Sequence, residues 1–209
     1  MAKINKLIKG SKRFADAEFK KYKHKFGDLV KNGQHPKTLF IGCSDSRVIP
    51  SLITNSDPGD LFVIRNIGNF VPEYQPDSDF HSTAAAIEYA VSVLEVKDII
   101  VCGHSHCGAI EALYKPVITD PDLIHVKKWL ELGEKPKALV ANFNLLTKKR
   151  ILRATEEIST LFQLENLLTY PAVQKRVKQK KLFLNAWHYR IESGKIFTYN
   201  FDKEEFLPL

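Results

Sequence analysis

Asp98-Ile99-Ile100-Val101-Cys102 runs without interruption into Gly103-His104-Ser105-His106-Cys107-Gly108. The first half is a short, β-branched apolar run and reads as a buried strand. The second half changes character at once, placing two imidazoles and a thiol in four positions. The same succession occurs upstream, where Thr38–Gly42 (TLFIG) leads into Cys43-Ser44-Asp45-Ser46-Arg47. A third apolar run, Leu61–Arg65 (LFVIR), follows the turn signal Asp57-Pro58-Gly59-Asp60. Between Leu61–Arg65 and Asp98–Cys102 lies His81–Val96, a helical pattern that buries Ala84, Ile87, Ala90, Val91 and Leu94 on one stripe. Cys107–Tyr114 begins another helix. Alternating strands and helices imply an α/β fold with parallel leading strands.

Outward from this centre, Asp120–Val177 is amphipathic and helical, punctuated by Pro121, Pro136 and Pro171. Lys181–Tyr189 and Lys195–Asn200 read as strands joined through Glu192-Ser193-Gly194, an antiparallel hairpin at the sheet edge. The expected architecture is a mostly parallel central sheet of four strands, plus an antiparallel C-terminal edge strand, flanked by helices. At the other end, Phe14, Glu18, Phe19, Tyr22 and Phe26 line one face of a helix running from about Lys3 to Val30. Asn32-Gly33 ends it, so residues 1–33 form an N-terminal helical arm. No internal repeat or linker divides the chain, and residues 1–209 read as a single domain.

Composition narrows the function. The chain is 44% hydrophobic and 26% charged, within the range of an ordinary globular domain. It holds no run of about 18 apolar residues, so no membrane-spanning helix is expected. Met1–Lys9 (MAKINKLIK) is basic throughout with no apolar stretch behind it, and the expected location is the cytoplasm. Lys and Arg number 31 against 24 Asp and Glu, a net charge of +7. Much of the excess sits on terminal segments such as Lys20–Lys25 (KKYKHK) and reads as solvated helix face. Three cysteines are too few for a disulfide framework.

Thiolate and imidazole are the donors zinc prefers. His104 and Cys107 are three apart and would share a face if the segment were helical. Cys43 would join them from the tip of a neighbouring strand. Two cysteines and one histidine make a three-donor set that leaves a fourth position open, as catalytic rather than structural zinc sites do. His106 could compete with His104, but it adjoins Cys107 and adjacent side chains diverge, which favours His104; Cys102 belongs to the apolar core. Asp45 and Arg47 are two apart, close enough for a guanidinium to hold a carboxylate ionised and oriented. Asp45 is also near enough to Cys43 to close the fourth position itself.

Taken together, Cys43-Ser44-Asp45-Ser46-Arg47 and Gly103-His104-Ser105-His106-Cys107-Gly108 resemble the motifs of the β-class carbonic anhydrases. Pro58-Gly59-Asp60, Arg65-Asn66-Ile67-Gly68-Asn69 and Ala85-Ala86-Ile87-Glu88-Tyr89-Ala90 extend the resemblance over most of the chain. It implies one Zn²⁺ per chain on Cys43, His104 and Cys107, with Asp45 a ligand in a closed state only. It implies reversible hydration of carbon dioxide to bicarbonate and a proton, with Asp45 and Arg47 as the catalytic pair orienting the oxygen nucleophile. Gln34, Phe62, Ile67 and Tyr89 match substrate-pocket positions of the plant-type branch, Ile67 standing where valine is common. The resemblance further implies a homodimer, or a larger assembly of dimers, with the arm laid across the partner, and neither nucleic acid nor membrane as a partner. Phe40 stands where the other branch carries the tryptophan of a regulatory bicarbonate site, so that regulation is not expected.

The residues leave other readings open. The same scaffold can hydrolyse carbonyl sulfide or carbon disulfide. A zinc-stabilised basic domain could contact nucleic acid, although the open coordination position and the Asp45–Arg47 pair would then be idle. A thiol redox protein could use Cys43 and Cys107, although the chain has no Cys-x-x-Cys motif.

Overall fold

The three apolar runs become parallel strands. In the computed structural model, which describes residues 2–77 and 79–209, β1 (Thr38–Cys43), β2 (Leu61–Asn66) and β3 (Asp98–His104) are joined by β4 (Phe183–Arg190), β5 (Lys195–Asn200) and β6 (Glu205–Pro208) in one sheet of order β2-β1-β3-β4-β5-β6. The first four run parallel, with Thr38 against Leu61 and Asp98, and Asp98 against Phe183. The hairpin is present, but the antiparallel edge has two strands rather than one. After β5 the chain turns again, and β6 pairs Phe206 with Tyr199. Four residues ending in a proline are too short a run to announce a strand.

The helices are α1 (Ala2–Arg13), α2 (Phe19–Asn32), α3 (Pro50–Thr54), α4 (Ser82–Glu88), α5 (Gly108–Ala112), α6 (Ile124–Leu130), α7 (Glu134–Ala141), α8 (Lys148–Leu168) and α9 (Pro171–Lys178). Two are extended by a wider π-helical turn, at Phe14–Glu18 between α1 and α2 and at Tyr89–Val93 after α4. Of the basic Met1–Lys9 segment, Met1 lies outside the described residues. None of the described helices is long and apolar enough to cross a membrane.

Strand alternation sorts the core. Leu39, Ile41, Ile99 and Val101 face one side of the sheet and pack with Ile87, Val91, Leu167 and Val173. Phe40, Ile100 and Cys102 face the other. Each fully buried aliphatic or aromatic side chain contributes about 1.5–3 kcal/mol. On the arm, Phe19 and Phe26 stack at 5.5 Å, and Lys25 reaches Asp57 and Asp60 at 3.2 and 3.1 Å. This fixes α2 on the turn before β2.

The strand order explains where chemistry collects. From β1 the chain first adds β2 on one side and then β3 on the other, so the order reverses between β1 and β3. The loops leaving the carboxyl ends of such strands diverge and open a crevice. Cys43 is the last residue of β1 and His104 the last of β3.

Candidate metal centre

One donor atom from each of Cys43, His104 and Cys107 lies within 4.8 Å of the others, and all three residues are buried. Helical spacing is not what brings Cys107 to His104. The two are separated by a tight turn, in which His106 takes a left-handed φ of 60°, and Cys107 is the residue that precedes α5. The turn throws His106 outward, its side chain 59% exposed and 3.7 Å from Glu192. Cys102 lies in the core, where burial pushes its thiol up to about 12 and makes it inert.

The imidazole of His104 is oriented by its own backbone. Its Nδ1–H donates to the Ser105 carbonyl at 2.9 Å. A carbonyl only accepts, so the proton is on Nδ1 and the lone pair on Nε2. That Nε2 is fully buried and has no partner. A buried acceptor without a donor costs about 1–3 kcal/mol, and it points among two thiols. Hydrogen bonding to the Cys107 thiol is the largest influence lowering the pKa of Cys43; burial opposes it, and His104 and the Asp45 and Gly68 N–H groups assist. Cys107 moves the opposite way, raised first by the same hydrogen bond and then by burial, while the N–H groups of Ile110 and Ala109 resist. The shifts are opposed because each thiol faces the other. Burial disfavours the charged His104, yet the adjacent Cys43 sulfur outweighs it, and its pKa is raised. Two sulfurs and an unpaired imidazole nitrogen are a donor set that fits zinc.

Asp45 is gripped by Arg47. Nε and Nη2 of the guanidinium meet Oδ1 and Oδ2 at 2.9 and 2.7 Å, and the Arg47 N–H adds a third bond to Oδ1 at 2.9 Å. The guanidinium holds the Asp45 carboxyl far below the usual carboxylate range, against a smaller opposing effect of burial. Both oxygens are engaged, and Asp45 stands outside the three-donor cluster. Arg65 supports the same loop, donating to the carbonyls of Cys43 at 3.0 Å and Asp45 at 2.6 Å. Arg47 also donates to the His106 carbonyl at 3.0 Å, which ties the two strand tips together.

Ile67, just past the tip of β2, is 46% exposed, and its carbonyl accepts from the Trp129 indole at 2.7 Å. Gly68 follows at φ 76°, where an added Cβ would meet Ala109 Cβ and the Phe70 ring at 2.9 Å. The other pocket residues are not brought to this centre. Phe62 pairs with Leu39, four residues before Cys43, which is about 13 Å back along the strand. Tyr89 stacks on Phe62 at 5.9 Å. Gln34 precedes β1 altogether, so it lies beyond the far end of a strand about 17 Å long.

Several groups packed around the cluster carry no sequence signal. Glu156 in the middle of α8, Arg153 one turn earlier, Ser105 and Glu192 of the hairpin all surround the His104–Cys107 turn. Arg65 was the findable one, a lone charge at the end of an apolar run. A second group, Asp77, Asp79 and His81, also lies within 4.8 Å. It is exposed, and His81 is already engaged by Asp77 at 2.8 Å, so it offers no buried unpaired donor.

Comparison with known proteins gives concordant results. The family described as carbonic anhydrase matches residues 38–196. A carbonic anhydrase from Synechocystis is 43% identical over 94% of this chain and 71% of its own length. One from Pseudomonas aeruginosa is 40% identical over 97% of this chain and 90% of its own. Among solved structures, the β-carbonic anhydrase CcaA superimposes with a TM-score of 0.93 at 41% identity, covering 100% of this chain and 93% of that one. A tetrameric β-carbonic anhydrase from Sordaria macrospora gives 0.83 at 27% identity, over 95% of this chain and 97% of that one.

Proposed function

The chain belongs to the carbonic anhydrase family, in its β class, and from that premise we propose that it catalyses the zinc-dependent, reversible hydration of carbon dioxide to bicarbonate and a proton. The observation that carries the zinc assignment is the buried, unpartnered Nε2 of His104 among two thiols. Cys43, His104 and Cys107 would hold the ion. Zinc, when bound, supplies Lewis acidity and lowers the pKa of coordinated water.

The protein's own share is orientation and exclusion. Asp45 is locked as an acceptor by Arg47 and can only receive a hydrogen bond, so it fixes the direction in which the attacking oxygen presents its lone pair. Ile67 supplies apolar wall for a small, non-polar substrate. The rest of the wall has to come from elsewhere, because Gln34, Phe62 and Tyr89 lie at the far end of their own β1 and β2. A second copy supplies them. Val63 and Ile67, on and just past the edge strand β2, and Tyr89 and Val93 on the helix beside it are 43%, 46%, 44% and 60% exposed, apolar surface suited to covering by another chain. Homodimerisation, or a larger assembly of dimers, would therefore complete each site, and we place the enzyme in the cytoplasm.

Zinc content per chain, measured beside stopped-flow carbon dioxide hydration, tests the reading. One zinc per chain with hydration lost on chelation is expected. Protein that folds without metal and hydrates nothing would overturn it.

A further inference from the structure

The turn that carries Cys107 is held from three directions. Ser105 donates its N–H to the Tyr189 carbonyl at 2.9 Å, and its Oγ–H to Glu192 Oε2 at 2.5 Å. The same Oγ accepts from the N–H of Ile191 at 2.9 Å. Cys107 donates its N–H to Glu156 Oε1 at 3.2 Å. One carboxylate comes from the middle of α8 and the other from the β4–β5 hairpin. Glu156 is 5% exposed, so its charge is buried beside a turn that must also accommodate thiolate sulfur. Left alone, the two carboxylates would repel each other and the sulfurs.

Arg153 stands between them. Its Nε lies 3.3 Å from Glu156 Oε2 and its Nη2 3.0 Å from Glu192 Oε1. Different edges of one guanidinium serve the two carboxylates, which a planar fork allows and a single ammonium does not. His188, fully buried, backs Glu156 with its Nε2 at 3.4 Å. The turn needs such support, because His106 at its centre holds a left-handed φ that a non-glycine residue rarely adopts.

We propose that Arg153 is a positioning residue for the metal centre: by bridging Glu156 and Glu192 it clamps the Ser105–Cys107 turn, so that Cys107 is presented to the ion in a fixed place. The proposal rests on the zinc reading given above and extends it to residues that touch neither metal nor substrate. Groups that orient metal ligands from behind typically account for 10–100-fold in metal affinity.

The test compares full-length, zinc-loaded Arg153→Met, Arg153→Lys and Glu192→Gln with the wild type. The readouts are zinc release to an excess chelator and, after cobalt replacement, the thiolate-to-cobalt absorption band. Arg176→Met serves as a control for plain destabilisation, since Arg176 donates to the carbonyls of Val91, Glu95 and Val96 and does not touch the turn. Arg153→Met is expected to release zinc at least ~10-fold faster with an altered band. Arg153→Lys should recover only part of this. The control should lose melting temperature yet release zinc like the wild type. Should Arg153→Met fail to fold, Glu192→Gln carries the test, because it keeps an amide oxygen for Ser105 while removing the charge that Arg153 holds. Wild-type release and spectrum in the clamp variants would overturn the proposal, as would equal acceleration in the control. A wild type that binds zinc but does not hydrate carbon dioxide sinks the functional reading and leaves the release comparison decisive for the clamp; one that binds no metal sinks both.

Discussion

Arg47 donates to the carbonyl of His106 at 3.0 Å, across 59 residues of sequence, while the same guanidinium grips Asp45. One side chain thus couples the loop after β1, which bears Asp45, to the turn after β3, which bears Cys107. The pair proposed to align the attacking oxygen is mechanically tied to the three-donor cluster.

Asp45→Asn keeps the shape of the side chain but adds N–H donors and removes the charge that Arg47 holds. Hydration, as kcat/KM, should fall by ~10²-fold or more, with zinc content unchanged. Stopped-flow assays paired with metal analysis check this. Loss of zinc in the variant would show Asp45 to be structural instead.

Metal removal should cost stability, because a preformed three-donor site binds the ion in the folded state alone. With free zinc at a thousandfold over its dissociation constant the gain is ~4 kcal/mol. Melting with and without chelator measures it, and Cys43→Ser should abolish most of the difference.

Activity should rise with pH through the neutral range. Two thiolates cancel the formal charge of Zn²⁺, where three neutral imidazoles would leave it intact, so coordinated water is acidified less. A hydration profile that stayed flat down to pH 6 would contradict this.

Glu192 gives a separate, folding-linked pH effect. The Ser105 hydroxyl, above all, with Arg153 and a backbone N–H helping against burial, lowers its pKa from 4.5 to about 2. As the pH falls the unfolded chain takes up this proton first, so the folded form loses relative stability. The contribution is complete above 4.5 and gone below about 2. The side chain is 47% exposed, and screening keeps the gain to ~1 kcal/mol or less. Glu192→Gln should therefore melt slightly below the wild type at pH 7, with the gap closing as the pH approaches 2.

If a second copy completes each site, two dead variants should rescue one another. Cys43→Ser removes the metal donor of its own chain, and Phe62→Ala the wall it lends to its neighbour. Mixed and reassembled, they form a dimer in which one site has both parts intact. Activity above that of either variant alone is expected, while purely additive residual activity would place the pocket within a single chain.

The parallel strands and the meeting of Cys43, His104 and Cys107 are legible because they rest on local patterns. TLFIG, LFVIR and DIIVC are apolar runs bounded by turn residues, and cysteine and histidine at two strand ends are scarce side chains in telling places. What escaped is set by distance along the chain. Nothing near Glu156 in sequence marks it as the partner of Cys107, 49 positions away, or Glu192 as the partner of Ser105, 87 away. The π-turn after α4 is invisible for a different reason: it breaks a helical period that the residues themselves continue. Gln34, Phe62 and Tyr89 rest on family likeness alone, and their separation from the Cys43–His104–Cys107 cluster is set by the length of the strands between.

Gly103 is a gap kept open by design of the packing. A Cβ there would come within 2.7 Å of Thr160 Cγ2 and 3.1 Å of the Glu156 carbonyl. A single methyl group would act as a wedge, levering the long helix off the sheet and lifting the Glu156 carboxylate from the Cys107 amide it caps. Damage at this position would begin as a fault in carpentry and end as a fault in catalysis, without altering any atom that meets the reactants.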